Sequence, residues 1–204
     1  MWGLESHEVT YINRQQGYRC IQCGSRLRSM ALAAWLLHHV EFEGPLSRFV
    51  EEAGAKQNAP LLEINEAGQL SQFLQKLPGR VLGAYPAVDI QAMWYPSESF
   101  DIVLHSDTLE HIPDPLCALQ ECLRVLRPGG VCAFTVPVVV DRLTRSTNGS
   151  LASYHGHAYT TAEDLRVHTE FGADTWKIVT SAGFREYRLF SLEYPSALVH
   201  IGVK

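Results

Sequence analysis

Short, unbroken apolar runs separated by stretches of helical period are what most restrict the folds open to this chain. Leu61-Leu62-Glu63-Ile64 follows Pro60, and Arg80 to Ala84 follows the break at Pro78-Gly79. Phe100 to His105 and Val131 to Val136 are two more such runs. None alternates polar with apolar, so each reads as a strand buried on both faces, as in a parallel sheet covered by helices. Between them, Leu70, Phe73, Leu74 and Leu77 mark a helix over 69–76, and Leu116, Leu119, Leu123 and Leu126 mark another over 115–126. A third helix covers 174–182 with Asp174 as its cap, followed by strands near 184–190 and over 199–203. Alternation of this kind, closed by right-handed crossovers, predicts a three-layer, doubly wound α/β fold with a mostly parallel sheet. Such sheets bind ligands beyond the carboxyl ends of their strands. Function is therefore expected at 63–68, 84–89, 105–111 and from Pro137 onward.

Ahead of the first strand, residues 1–24 are mixed and polar, and no element is assigned to them. Ser25 stands where it would cap a helix over 26–42, which carries Leu27, Met30, Ala31, Ala34, Trp35 and Leu37. Gly44-Pro45 ends that helix, and a weaker one covers 46–54. The chain thus divides into an N-terminal extension, 1–58, and a main domain, 59–204.

A net charge of −5 gives no footprint for duplex nucleic acid or for an anionic membrane surface. No run approaches the ~18 apolar residues of a membrane span. Met1 to His7 shows no basic region leading into an apolar core, so no secretory signal is expected. The cysteine count of 5 is odd, and Cys117, Cys122 and Cys132 fall in apolar-patterned segments. Buried free thiols and a cytoplasmic location follow. Cys20-x-x-Cys23-Gly24 is half of a zinc knuckle with no second pair after it, so no metal is expected.

The segment Ser99-Phe100-Asp101-Ile102-Val103-Leu104-His105-Ser106-Asp107-Thr108-Leu109-Glu110-His111 runs on to Arg124-Val125-Leu126-Arg127-Pro128-Gly129-Gly130. It resembles the central block of class I S-adenosylmethionine-dependent methyltransferases of the small-molecule type. There an F-D-x-V strand leads to L-E-H, a helix, R-V-L-x-P-G-G and the next strand. The resemblance implies the Rossmann-like methyltransferase fold, S-adenosylmethionine as cofactor and a small-molecule acceptor, a sugar or other metabolite. It also implies roles for particular residues. Asp89, twelve positions before Asp101, takes the place of the acid that accepts from the adenine amino group, with the Ile90 backbone N–H beside it. Glu63 takes the place of the acid that opens the glycine loop, here Asn65-Glu66-Ala67-Gly68, and Asn suits a left-handed backbone. The acid that grips the ribose is absent from Gly83-Ala84-Tyr85-Pro86, which leaves Tyr85 for that contact. The third strand delivers His105 and Ser106 to the ligand edge.

A general base is needed where the acceptor arrives protonated. His105, His111, His155 and His157 are the candidates, and His111 and His155 are favoured because each lies just beyond a strand end. A second reading is a catalytically degenerate methyltransferase fold used as a cofactor-binding, regulatory or scaffolding module. The altered glycine loop motivates it. A nicotinamide-dependent dehydrogenase is disfavoured, because no G-x-G-x-x-G follows the first strand.

Overall fold

The computed structural model of the chain describes residues 4–56, 59–147 and 165–204. Its centre is a six-stranded sheet. The strands are β1 (Leu61–Ile64), β2 (Arg80–Gly83), β3 (Phe100–Ser106), β4 (Leu126–Thr135), β8 (Glu186–Glu193) and β9 (Ala197–Val203). They lie in the order β2-β1-β3-β4-β9-β8. The first four are parallel, and β9 runs antiparallel to both β4 and β8. β1 is flanked by β2 on one side and β3 on the other, so the strand order reverses at β1. Such a reversal opens a crevice at the carboxyl ends of the strands.

Both faces of the sheet are covered, which explains the unbroken apolar runs. Alternation along β3 sends Ile102 and Leu104 to one face, where they meet Leu32, Trp35 and Leu36 of α2 (Leu27–His39). Phe49 and Val50 of α3 (Leu46–Lys56) join that cluster. Residues of the N-terminal extension therefore build one layer of the core. Val103 points to the other face, against Leu119, Cys122 and Val125 of α5 (Pro115–Val125) and Val179 of α6 (Thr175–Ser181). The helix expected over 69–76 is shorter. A 3-10 turn (Gly68–Leu70) leads into the single turn α4 (Ser71–Leu74).

Two features were not expected. α1 (Ser6–Gly17) packs through Glu8, Tyr11 and Gln15. Gln15 Nε2 donates to the Val136 carbonyl at 2.8 Å, the Val140 N–H donates to the Tyr11 hydroxyl, and Arg142 forks onto the Glu8 carboxylate. A small second sheet forms beyond β4 from β5 (Val138–Val139), β6 (Arg145–Ser146) and β7 (Thr169–Gly172). Capping also differs. Arg26, not Ser25, is the N-cap of α2 and makes no side-chain cap bond; Asp174 is the N-cap of α6 as expected, but its carboxylate accepts from the Thr144 N–H at 2.6 Å instead of capping the helix.

Between β2 and β3 the chain forms no further strand or long helix. Val88, Ile90, Met93 and Tyr95 bury their side chains from irregular backbone instead. Its polar groups are met from α5. Arg124 donates to the carbonyls of Met93 and Tyr95 at 2.8 and 2.9 Å, and the Glu121 carboxylate accepts from the Met93 N–H at 2.9 Å.

A row of rings crosses the sheet on the α5 face. His105 stacks on Phe134 at 5.0 Å, and Phe134 stacks on His200 at 5.3 Å. Burial holds both imidazoles neutral, with pKa values pushed down to about 3. The unfolded chain takes up protons on these groups below about pH 6.5, whereas the folded chain does not. Their contribution to stability is thus complete above that pH and is lost as pH falls toward 3. The denaturation midpoint is expected to drop between pH 7 and pH 4, and His200→Phe is expected to flatten that slope. Glu110, whose pKa burial pushes up, acts in the opposite direction, so the slope of the variant against the parent is the quantity to compare. An identical slope in urea titrations would show that His200 is not the source.

Candidate active site

A cleft of about 480 Å³ opens at the carboxyl ends of β1, β2 and β3. Of the residues expected to hold a cofactor, Asn65, Tyr85, Asp89, Ile90 and Ser106 line it, and His111 lines it too. Asp107, Thr108, Gln91 and His168 complete the wall beside them. A second groove, of about 580 Å³, lies at the far end of α2 against β8 and is remote from the strand ends.

Glu63, Gly68 and His105 are placed elsewhere. The Glu63 carboxylate is wholly buried beneath the loop. One oxygen accepts from the Ala67 N–H at 2.7 Å, and the other accepts from Arg80 Nε at 2.8 Å. It shapes the loop and does not face the cleft. Gly68 (φ 58°) lies against α2, where a Cβ would come within 2.8 Å of Ser29 Oγ. His105 points into the core because strand alternation sends it to the face opposite Ser106. Its ring nitrogens are buried without hydrogen-bond partners among the described residues. His155, with His157, lies outside the described residues.

The loop after β1 makes the turn that its substitutions suggested. Asn65 and Glu66 both adopt positive φ, 55° and 48°. Asn65 Oδ1 then accepts from the Tyr85 N–H at 2.8 Å, which joins the β1 and β2 loops. Asp89 Oδ1 accepts from the Gln91 N–H at 2.8 Å, and no described residue donates to Oδ2. That leaves an acceptor on the cleft wall with the Ile90 backbone next to it.

Asp107 was not singled out from sequence, although it belongs to the polar cluster after the third strand. It also has positive φ, 46°. Its N–H donates to the Thr135 carbonyl at 2.8 Å, and its Oδ1 accepts from the Thr135 hydroxyl at 3.1 Å. Its Oδ2 accepts from Gln16 Nε2 at 2.9 Å and from Arg28 Nη1, so α1 and α2 both reach the cleft wall. Next to it, burial first and then the Asp107 charge push the Glu110 pKa well above the usual carboxylate range. His111 is mostly buried, and this pushes its pKa down. Its Nδ1 lies 2.9 Å from the Arg166 carbonyl, which places a proton on that nitrogen, and its Nε2 lies 3.8 Å from Glu110 Oε1. His168 sits beside it through the His168 N–H, which donates to the Glu110 carbonyl at 2.7 Å.

Among the described residues, His105, Cys122 and Cys132 bring three potential ligand atoms within 4.8 Å of one another. All three are buried in the core under α5, away from the cleft. Cys20 and Cys23 form a hairpin turn closed by the Cys20 N–H, which donates to the Ser25 carbonyl at 2.9 Å. It offers two sulfurs. Among the described residues no helix is long and apolar enough to cross a membrane.

The geometry suits S-adenosylmethionine at the adenine end, through Asp89 and Ile90, and at the left-handed loop. At the ribose position it offers Tyr85, 57% exposed, in place of an acid.

Comparison with known proteins agrees. A family model described as a methyltransferase domain matches residues 44–134. The ubiquinone/menaquinone biosynthesis C-methyltransferase UbiE of Escherichia coli is 30% identical over 176 residues, covering 78% of this chain and 67% of that protein. The enzyme of the same name from Shigella boydii gives the same figures, 30% identity with 78% and 67% coverage. Among solved structures, a methyltransferase from Methanosarcina mazei is 14% identical, covers 76% of this chain and 96% of its own, and has a TM-score of 0.46. One from Aquifex aeolicus is 12% identical, covers 78% and 87%, and has a TM-score of 0.43. The strand order with its antiparallel β9, the cleft at the reversal point and the relatives 30% identical to it lead to one conclusion: the chain belongs to the class I S-adenosylmethionine-dependent methyltransferases and uses S-adenosylmethionine as its cofactor.

Proposed function

We propose that this chain methylates a small organic acceptor bearing an acidic hydroxyl, with His111 as the base that takes the hydroxyl proton. The observation that carries this reading is the place of His111: it lines the cleft, its Nδ1 lies 2.9 Å from the Arg166 carbonyl, and burial pushes its pKa down. When bound, S-adenosylmethionine supplies an electrophilic methyl group on a sulfonium. The chain's part is to hold donor and acceptor in line, where positioning alone reaches effective molarities of roughly 10⁵–10⁸ M. Asp89 Oδ2 accepts from the adenine amino group, and the Ile90 N–H donates to the ring. Removing a proton from a phenolic hydroxyl would raise the nucleophilicity of the ring carbon beside it. The C-methyltransferase named above as a relative supports a quinone-like ring among the acceptor classes, ahead of a sugar. The net charge of −5 supports a small molecule over a nucleic acid. In this reading residues 59–204 are the methyltransferase domain, residues 1–58 are an extension, and its described helix α2 covers one face of the sheet.

Three outcomes are expected. Asp89→Ala weakens S-adenosylmethionine binding by about tenfold in calorimetry, the worth of one lost hydrogen bond to a charged group. Unchanged affinity would remove adenine from this position. His111→Gln lowers kcat by about 10²–10⁴-fold with little change in cofactor affinity. Because burial lowers the His111 pKa, the parent's rate should rise with pH below about 6.5 and level off at neutral pH, and the variant should lose that limb. The acceptor class is tested by transfer of a labelled methyl group to phenols, quinols and sugars in parallel with RNA and protein. Label appearing only in a macromolecule would overturn the reading.

A further inference from the structure

Three side chains with metal-ligand chemistry meet in the core, on the face of the sheet that α5 covers. His105 comes from β3, Cys132 from β4 and Cys122 from α5. The parallel register sets Val103 beside Cys132 and His105 beside Phe134, so His105 and Cys132 are diagonal neighbours on one face. α5 lays Cys122 over them, and one ligand atom from each residue lies within 4.8 Å of the other two. All three residues are fully buried. Bonds of about 2.3 Å to sulfur and about 2.0 Å to nitrogen separate such donors by roughly 3.5–4.0 Å, so small side-chain shifts close the site.

The imidazole is the group that packing leaves unexplained. Both His105 ring nitrogens are buried, and among the described residues neither has a hydrogen-bond partner. Stacking on Phe134 satisfies neither of them, and a buried polar group in that state is costly. Burial keeps the ring neutral, with a pKa of about 3, which is the form that binds metal ions. The sulfurs influence one another as close neighbours do: Cys122 first, and then burial, push the Cys132 pKa up.

We propose that His105, Cys122 and Cys132 bind one thiophilic cation, zinc(II) or copper(I), which fastens α5 to β3 and β4. Two soft sulfurs and an imidazole are a donor set that these two ions share. Zinc(II) displaces both thiol protons and copper(I) displaces one, so either ion leaves the apolar core without net charge. The sulfurs lie beneath a packed helix, so the ion enters as the chain folds. His105 adjoins Ser106 and Asp107, which line the cleft, and the three ligands are therefore positioning residues for that strand end. Cys122 and Cys132, expected from the sequence as free thiols, meet His105 only in the folded chain.

The test unfolds the full chain under reducing conditions and refolds it with zinc(II), with copper(I) or with a chelator. Bound metal is then measured after gel filtration. One ion per chain is expected, and competition between the two metals identifies which is preferred. X-ray absorption at the metal edge should show two sulfurs at about 2.3 Å and one nitrogen at about 2.0 Å. His105→Phe keeps a ring stacked on Phe134 and removes the nitrogens, so it should fold and lose the ion. Cys122→Ala should lose it too. The loaded parent should unfold at higher urea than the chelated parent, and His105→Phe should abolish that difference. A variant carrying both Cys20→Ala and Cys23→Ala is the control and should keep the ion. Retention of the ion by His105→Phe, or its loss from the control, overturns the proposal. So does a parent that holds neither metal after refolding, or an absorption spectrum without the nitrogen.

Discussion

The Glu63 carboxylate, shut away from solvent at the end of β1, is the charge around which the carboxyl edge of the sheet is organised. It holds the Ala67 N–H on one oxygen and the Arg80 guanidinium on the other. The first contact folds the loop back over the strand, and the second locks β2 to β1. A buried ion pair adds little net stability compared with apolar packing, but breaking one side of it costs about 3–5 kcal/mol. Its value here is geometric. Asn65 and Glu66 must both take left-handed backbone, which costs roughly 1–2 kcal/mol for each non-glycine residue. The hydrogen bonds from Ala67 to Glu63 and from Tyr85 to Asn65 offset that cost and let the loop keep its shape without the usual glycines.

A second left-handed residue group closes the other side of the cleft. Asp107 is held at positive φ by Thr135, Gln16 and Arg28, so a strand, a helix and a second helix converge on one carboxylate. Unfavourable backbone of this kind persists only where the surroundings over-determine it, and such places are often functional. The concentration of acids has an electrostatic result. Burial first, and then the Asp107 charge, push the Glu110 pKa well up, while burial pushes the His111 pKa down. Burial thus moves these adjacent residues in opposite directions.

The irregular stretch between β2 and β3 shows how a shorter chain preserves the architecture. Val88, Ile90, Met93 and Tyr95 supply apolar surface, while Arg124 and Glu121 satisfy the backbone that a regular element would have paired within itself. Asp89 keeps its place on the cleft wall because the residues on either side of it are buried. The N-terminal residues do similar work from the opposite face, where α2 packs on the sheet and α1 is tied down through polar side chains.

The layer architecture, the parallel strands from β1 to β4 and the cleft position at Asn65, Asp89 and His111 were legible in the linear order of residues. Apolar runs and turn residues are local signals, and local signals survive in a sequence. α1 was not legible, because its buried positions are Glu8, Tyr11 and Gln15, which carry no apolar period. Their burial depends on Arg142, Val136 and Val140, more than a hundred residues away in the chain. The direction of each site side chain was likewise decided only by the fold. Glu63 and His105 come from the segments that the motif marks, yet the first turns under its loop and the second into the core, because strand register and burial set which face a residue meets. Asp107 gains its meaning from Arg28 and Gln16, which reach it only once α1 and α2 are laid across the end of the sheet. The sequence by itself determined which elements form and where their ends gather. Tertiary structure decided which charges are matched there and which remain open to a ligand, since pairing depends on distance in space.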